Sequence, residues 1–284
     1  MTSAFCPSHI TCFFRPVNSG NLLEKGSRGV GIRLNEGTTV HIHEINGGTK
    51  ISMDGEAGEA RITKHLLESM APGRNFEVNI ECGLPSGQGF GMSASGVIAA
   101  ALCVSEITGK SRKEAFEAAH ISEVVCGGGL GDVAALMHEG HVPIRTKPGM
   151  PPFGRVVDRN IVFERLTLVV LGNKLSTAEV LGDEGKLKKI CDAGDLAMGR
   201  FLWDIKEQIF EISRRFSEDS GVMAEKVAGS IRKLEGNGAK ASMCMLGNSI
   251  FTDLPEDEVR DILGDVESYS ASSTAEPARI TRKA

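Results

Sequence analysis

Side chains that stack on nucleobases are scarce in this chain, whose 284 residues include one Trp and one Tyr. A surplus of positive charge is missing too, the formal net charge being −5 and the pI close to 5.9. A nucleic-acid surface needs clustered Lys and Arg to displace counterions and aromatic platforms for the bases, so both shortages argue against a nucleic-acid partner. No apolar run approaches the roughly 20 residues that cross a bilayer. The first residues, MTSAFCPSHI, lack the basic region and long apolar core of a secretory signal. The expectation is a cytoplasmic protein with no membrane partner. The seven cysteines (Cys6, Cys12, Cys82, Cys103, Cys126, Cys191 and Cys244) are odd in number, scattered and without a CxxC pair. That pattern fits reduced, mostly buried thiols rather than disulfides or a zinc site.

What is present is the composition of a globular protein, 41% hydrophobic and 24% charged, long enough for one large domain or two ordinary ones. Short extended runs, Ile10–Phe14, Val30–Leu34 and Thr38–Ile42, are separated by turns such as VNSGN and LNEG. A short helix is expected around Ile62–Ser69, and a strand over 75–82, where Phe76, Val78 and Ile80 alternate with polar residues. Helices follow to about Thr108, over Lys113–Val125 and over Ala134–His138, then a strand at His141–Arg145 and the proline-rich turn TKPGMPPFG. A strand at Arg165–Leu171 opens the second half. A long helix is expected over Asp195–Phe216, where Leu202, Ile205, Ile209, Ile212 and Phe216 recur every three or four residues. Another is expected near Val222–Leu234, before a Ser/Thr-rich end that is either an edge strand or a loose tail. Strands and helices mix without strict alternation, which favours α+β over a doubly wound sheet.

The stretch GLPSGQGFGMSASG, Gly83 to Gly96, stands between a strand and an apolar helix. Strand, glycine loop, helix is an order that builds anion sites, because free amides and the helix dipole meet at the helix start. A Walker A loop needs a Lys that this stretch lacks. Gly89, Gly91 and Ala94 do satisfy the dinucleotide fingerprint GxGxx[G/A], but the second strand a Rossmann unit requires is replaced by a turn (TGKS) and another helix. Pro85-Ser-Gly-Gln-Gly89-Phe-Gly91-Met-Ser93-Ala94 resembles the phosphate loop of the GHMP small-molecule kinases, P-x-x-x-G-L-G-S-S-A, with Phe90 for Leu and Met92 for the first Ser.

That resemblance implies an α+β, two-domain fold. An N-terminal domain, 1–157, would contain a left-handed βαβ unit, unusual by the normal handedness rule, and a C-terminal domain, 158–284, would be ferredoxin-like. It implies ATP and Mg²⁺ as cofactors, with Pro85, Gly87, Gly89, Gly91, Met92, Ser93, Ala94 and Ser95 around the phosphates. In His120–Asp132 (HISEVVCGGGLGD) the pattern is similar to the mevalonate-kinase branch, which implies that Glu123, with Ser93, binds the metal and that Asp132 is the catalytic group facing the acceptor hydroxyl. The late turn from Gly236 to Gly247 stands where the family's third motif falls but departs from its GAGxGG form.

Three strings, Pro7-Ser-His9-Ile-Thr, Lys25-Gly-Ser27-Arg28-Gly-Val-Gly31 and Gly-Leu-Gly-Asp132, resemble the archaeal pantoate kinase branch from roughly Phe5 to Gly154. The implied substrate is pantoate, phosphorylated to 4-phosphopantoate on the route to coenzyme A. Its carboxylate calls for a cation, with Arg28 and Arg145 as candidates, and Ser27, His9 and His120 are candidates for the remaining oxygens. Other acceptors such as mevalonate or homoserine, a dinucleotide-dependent oxidoreductase and a nucleotide-binding regulator stay open, as does assembly, for which a homodimer is one option.

Overall fold

The computed structural model describes residues 1–58, 60–201 and 206–283. Two long strands organise it: β1 (Thr2–Val17) and β2 (Gly26–Glu44). The extended runs expected at Ile10–Phe14, Val30–Leu34 and Thr38–Ile42 are pieces of these two strands. The antiparallel pairing slips between Pro7 and Ser8 and again between Thr11 and Phe13, and such bulges interrupt the period-2 pattern that marks a continuous strand.

The chain continues through β3 (Lys50–Met53), β4 (Glu56–Ala57), α1 (Arg61–Met70), β5 (Phe76–Cys82), α2 (Met92–Thr108), α3 (Arg112–Cys126), α4 (Asp132–Met137), β6 (Ile144–Lys147) and β7 (Arg155–Val157). The strand expected from His141 starts at Ile144. His141 and Pro143 still offer their carbonyls to the Arg33 and Gly31 amides, but Pro143 has no N–H to return. Helix α3 begins with a capping box, Ser111 accepting from the Glu114 amide while the Glu114 carboxylate accepts from the Ser111 amide; such a cap is worth about 1 kcal/mol.

The second half contains β8 (Leu166–Val170), α5 (Thr177–Gly182), α6 (Glu184–Arg200), α7 (Lys206–Asp219), α8 (Glu225–Gly236), β9 (Ala241–Met243), β10 (Ser249–Thr252), α9 (Glu256–Leu263), β11 (Glu267–Ala271) and β12 (Arg279–Arg282). The single helix expected over Asp195–Phe216 is two. Phe201 takes extended angles, φ −71° and ψ 111°, and closes α6. Leu202 and Ile205, part of the periodicity behind that expectation, lie outside the described residues.

Strands β12-β1-β2-β5-β3-β4 form one sheet, with β6 pairing β2 and β7. β3 and β5 are parallel and joined through α1, the parallel pair that the expected βαβ unit requires. The second sheet, in the order β11-β8-β10-β9, is antiparallel. Numbered within the second half, that order is 4-1-3-2, the ferredoxin-like arrangement. The Ser/Thr-rich end supplies an edge strand to each sheet, β11 to the second and β12 to the first.

The long strands serve two cores. Ala4, Cys6, Val40 and Ile42 pack beneath α1, α2 and α3, whereas Ile10, Phe13, Phe14, Val30 and Ile32 pack with Leu168, Ile190 and Phe251 of the second half. Helix α2 is apolar on nearly every face because it is sandwiched: residues 94–105 are all buried. A cleft opens where the two cores meet along β1.

Candidate active site

The cleft is a cavity of about 370 Å³ lined by the glycine loop, the start of α2, the turn after α3, α5 and the β9–β10 turn. At its centre α2 begins on Gly91, which is left-handed (φ 73°) and provides no side-chain cap. The first amides of a 17-residue helix are thus left facing the cavity, the arrangement that receives phosphate. Glycine is required here. A Cβ on Gly91 would lie 2.4 Å from the His9 carbonyl oxygen, and one on Gly89 2.7 Å from that of Cys244, both at positive φ.

The second half clasps the loop. The Leu175 amide donates to the Gly87 carbonyl at 3.1 Å. The Ser249 hydroxyl donates to the Gln88 backbone carbonyl at 2.5 Å, and the Gln88 side-chain Nε2 donates to the Gly172 carbonyl at 2.9 Å. A Cβ on Gly247 would lie 2.1 Å from the Gln88 backbone, so the late turn packs directly on the glycine loop although its sequence departs from the expected form.

Helix α3 and the glycines that end it bring two carboxylates to one wall. Glu123 is buried; its Oε1 accepts from the Ser93 hydroxyl at 2.5 Å and its Oε2 from the Gly129 amide at 2.5 Å. Burial is the main force on this carboxyl and pushes it up to about 7; the two hydrogen bonds oppose that and the nearby Asp132 charge adds to it. A carboxylate and a hydroxyl beside free helix amides form an all-oxygen donor set suited to a hard divalent cation that takes its other ligands from phosphate and water. Among the described residues no group of three or more His, Cys, Asp or Glu could hold a metal without such help.

Asp132, the first residue of α4, has one oxygen, Oδ1, held by His9 Nδ1 at 2.8 Å and by the Thr11 hydroxyl at 3.1 Å. Burial alone would raise its pKa, but the contact with His9, followed by the charge of Arg145 and the Thr11 hydrogen bond, outweighs it and holds the carboxyl below its ordinary value. Arg145 is buried, yet among the described residues its guanidinium makes a single, long hydrogen bond, NH1 to His9 Nε2 at 3.5 Å; its Nε has no partner and no carboxylate forms an ion pair with it, although the Asp132 charge acts on it. Ser27 lines the cavity beside it.

Gly87, Gly89, Gly91, Met92, Ser93, Ala94, Glu123, Asp132, His9, Ser27 and Arg145 thus line one cavity. Pro85 and Ser95 do not. Ser95 turns inward, its hydroxyl 2.6 Å from that of Thr38. Arg28 and His120 are also absent from the lining. Arg28 alternates with Ser27 along β2, which sends successive side chains to opposite faces, while the His120 Nε2 lies 3.0 Å from the Leu22 and Lys25 carbonyls. Sequence reasoning missed Thr11, two residues after His9 on the same strand face, and the apolar lining Phe14, Leu181 and Met245. Beside the glycine loop a second, apolar pocket of about 240 Å³ shares Arg61, Ile62, Gly87, Met92, Ser93 and Cys126 with the first.

Residues 60–140 match the family described as GHMP kinases N terminal domain. The chain is 34% identical over 285 residues to a pantoate kinase of Thermococcus kodakarensis, covering 93% of this chain and 92% of the relative. It is 30% identical to a pantoate kinase of Methanocaldococcus jannaschii over 91% and 95% of the two chains. A solved structure described as a phosphotransferase related to the CoA biosynthesis pathway superposes with a TM-score of 0.88 at 30% identity, over 99% of this chain and 98% of that one.

Proposed function

The chain belongs to the GHMP kinases, ATP-dependent small-molecule kinases, and on that premise we propose that it phosphorylates pantoate at its primary hydroxyl, giving 4-phosphopantoate for coenzyme A synthesis. The observation that carries the choice of acceptor is Arg145: a buried guanidinium that among the described residues makes no ion pair with a carboxylate, in the same cavity as the start of α2 and as Asp132, whose charge acts on it. A buried cation left unpaired is costly unless a ligand anion completes it, and pantoate carries a carboxylate at one end and the reacting hydroxyl at the other.

In this reading the amides of Met92 to Ala94 and the glycines before them hold the ATP phosphates, and the neighbouring apolar pocket suits the nucleobase. Ser93 and Glu123 would hold Mg²⁺, which when bound neutralises charge building on the phosphates. Arg145 and Ser27 grip the acceptor carboxylate; Phe14, Leu181 and Met245 offer apolar contact to its two methyl groups. Asp132 accepts the hydroxyl proton. Its lowered pKa makes it a weak base that orients the hydroxyl and takes the proton late, which suits a loose transition state needing little nucleophile activation. The division at 157/158 and a cytoplasmic site remain parts of this proposal; seven free thiols, four of them buried, favour a reducing compartment. Among the described residues no helix is long and apolar enough to cross a membrane.

The test is Arg145→Gln. Hydrogen bonds between charged groups are worth about 1.5–3 kcal/mol, so KM for pantoate should rise roughly 10- to 150-fold. Any slow turnover of 2,2-dimethyl-1,3-propanediol, which keeps the hydroxyl and methyls but lacks the carboxylate, should change far less than that of pantoate. An unaltered KM for pantoate would overturn the assignment.

A further inference from the structure

His9 was expected to contact substrate oxygens, but both of its ring nitrogens are engaged by protein. Nδ1 lies 2.8 Å from Asp132 Oδ1, and Nε2 lies 3.5 Å from Arg145 NH1. A guanidinium has no acceptor, so the nitrogen facing it must present a lone pair, and the ring's single hydrogen then sits on Nδ1, where it donates to Asp132. The Thr11 hydroxyl donates to the same Oδ1 at 3.1 Å. Two donors on one oxygen leave the other, Oδ2, to the acceptor hydroxyl. Oδ2 is the oxygen nearest the Gly129 turn of the cavity wall, where a Cβ would meet it at 2.4 Å.

The ring is held in place by close packing on the adjacent strand. A Cβ on Gly31 would lie 2.0 Å from His9 Nε2, and one on Gly29 would lie 2.9 Å from Arg145 NH2. The two glycines, two residues apart on one face of β2, form the floor on which the imidazole and the guanidinium rest. His9 itself is 1% exposed.

We propose that His9 is a positioning residue rather than a substrate ligand: as the neutral Nδ1–H tautomer it fixes Asp132 with Oδ2 towards the acceptor, and its Nε2 lone pair stabilises Arg145 beside it. The inference rests on Asp132 being the group that meets the acceptor hydroxyl. Burial also disfavours a second proton on this ring, in line with a neutral imidazole.

Two side chains separate the roles. The amide of Asn overlays Nδ1 of His, and that of Gln overlays Nε2. His9→Asn keeps a donor to Asp132, whereas His9→Gln does not, so His9→Gln should lose at least roughly tenfold more kcat than His9→Asn, because small misplacement of a reacting group lowers rate steeply. KM for the acceptor should stay within a few-fold in His9→Gln, whose side-chain oxygen can still accept from Arg145, and should rise in His9→Asn, which gives up that contact. Thr11→Val, which removes the second donor to Oδ1, should likewise lower kcat and leave KM, and it serves if His9→Gln does not fold. Equal kcat in the two His9 variants, or changes confined to KM in His9→Gln and Thr11→Val, would overturn the proposal. A readout that needs no turnover is the ¹⁵N spectrum of histidine-labelled enzyme, with His9 identified by its loss in His9→Asn. The expected pattern is a protonated Nδ1 and a bare Nε2 near pH 7.5; a protonated Nε2 would overturn it. Wild-type enzyme inactive on every acceptor would instead strike at the kinase reading while leaving the tautomer measurement decisive for His9.

Discussion

Replacing Glu123 by Gln should make the metal-free protein more stable at alkaline pH while abolishing turnover. Burial lifts the Glu123 carboxyl to about 7, against an ordinary value of 4.5 that it regains when the chain unfolds. Between those two values the folded chain binds the proton that the unfolded chain has released. Stability from this group is therefore fully present below about pH 4.5 and is lost as pH rises through about 7. At about 1.4 kcal/mol per tenfold change in proton affinity, the loss is about 1 kcal/mol at pH 5 and about 3 kcal/mol at pH 8. Glutamine escapes it and fits the local bonding, since its oxygen can accept from the Gly129 amide and its NH₂ can donate to the Ser93 hydroxyl, the two groups that Glu123 now engages. Unfolding would be followed with EDTA present from pH 5 to 8. The wild-type and variant curves should lie close together at pH 5 and separate at pH 8 by roughly 6–12 °C in Tm, with the variant higher. Parallel curves over the whole range, or a variant less stable at pH 8, would refute the reasoning, because Glu123 would then be ionised at ordinary pH in the folded chain.

Two further substitutions probe the remaining parts of the site. Asp132→Asn should lower kcat by roughly 10²–10⁴ with KM for pantoate within a few-fold, measured by coupled ADP release; wild-type turnover would remove Asp132 from the chemistry. Gly91→Ala forces a Cβ to 2.4 Å from the His9 carbonyl at φ +73°, so stability should fall by about 1–3 kcal/mol in urea unfolding and ATP affinity should weaken in titration calorimetry. An Ala variant matching wild type in both would mean that the loop has room it is argued not to have.

The helices that carry the site were legible because their signals are local. The Ser111–Glu114 capping box, the apolar run of α2 and the glycines at 127–129 mark boundaries within one turn. The two long strands were not, since bulges beside Pro7 and Thr11 change which face each residue presents, and a run such as ITCFF, packed between both halves, shows no alternation. The site was legible where one motif spans it, as in Gly87 to Ala94 or Glu123 to Asp132. Ser27 was found through a short string and Arg145 as a cation for the acceptor carboxylate, and that the two meet in one site depends on β6 pairing with β2. Thr11 was missed because a Thr in a strand looks like any other. Its role comes from Asp132, 121 residues away. Ser27, Gly29 and Gly31 fall on one strand face, a period-2 signal in the sequence, but what rests on those glycines only the fold reveals.

The most direct measurement places pantoate, pantothenate, mevalonate and homoserine together with ATP and Mg²⁺ in one reaction and identifies the phosphorylated product by ³¹P NMR and mass. 4-Phosphopantoate is expected as the dominant product. Dominant phosphorylation of any other acceptor would overturn the pantoate assignment, as would ATP binding with no phosphorylated product at all.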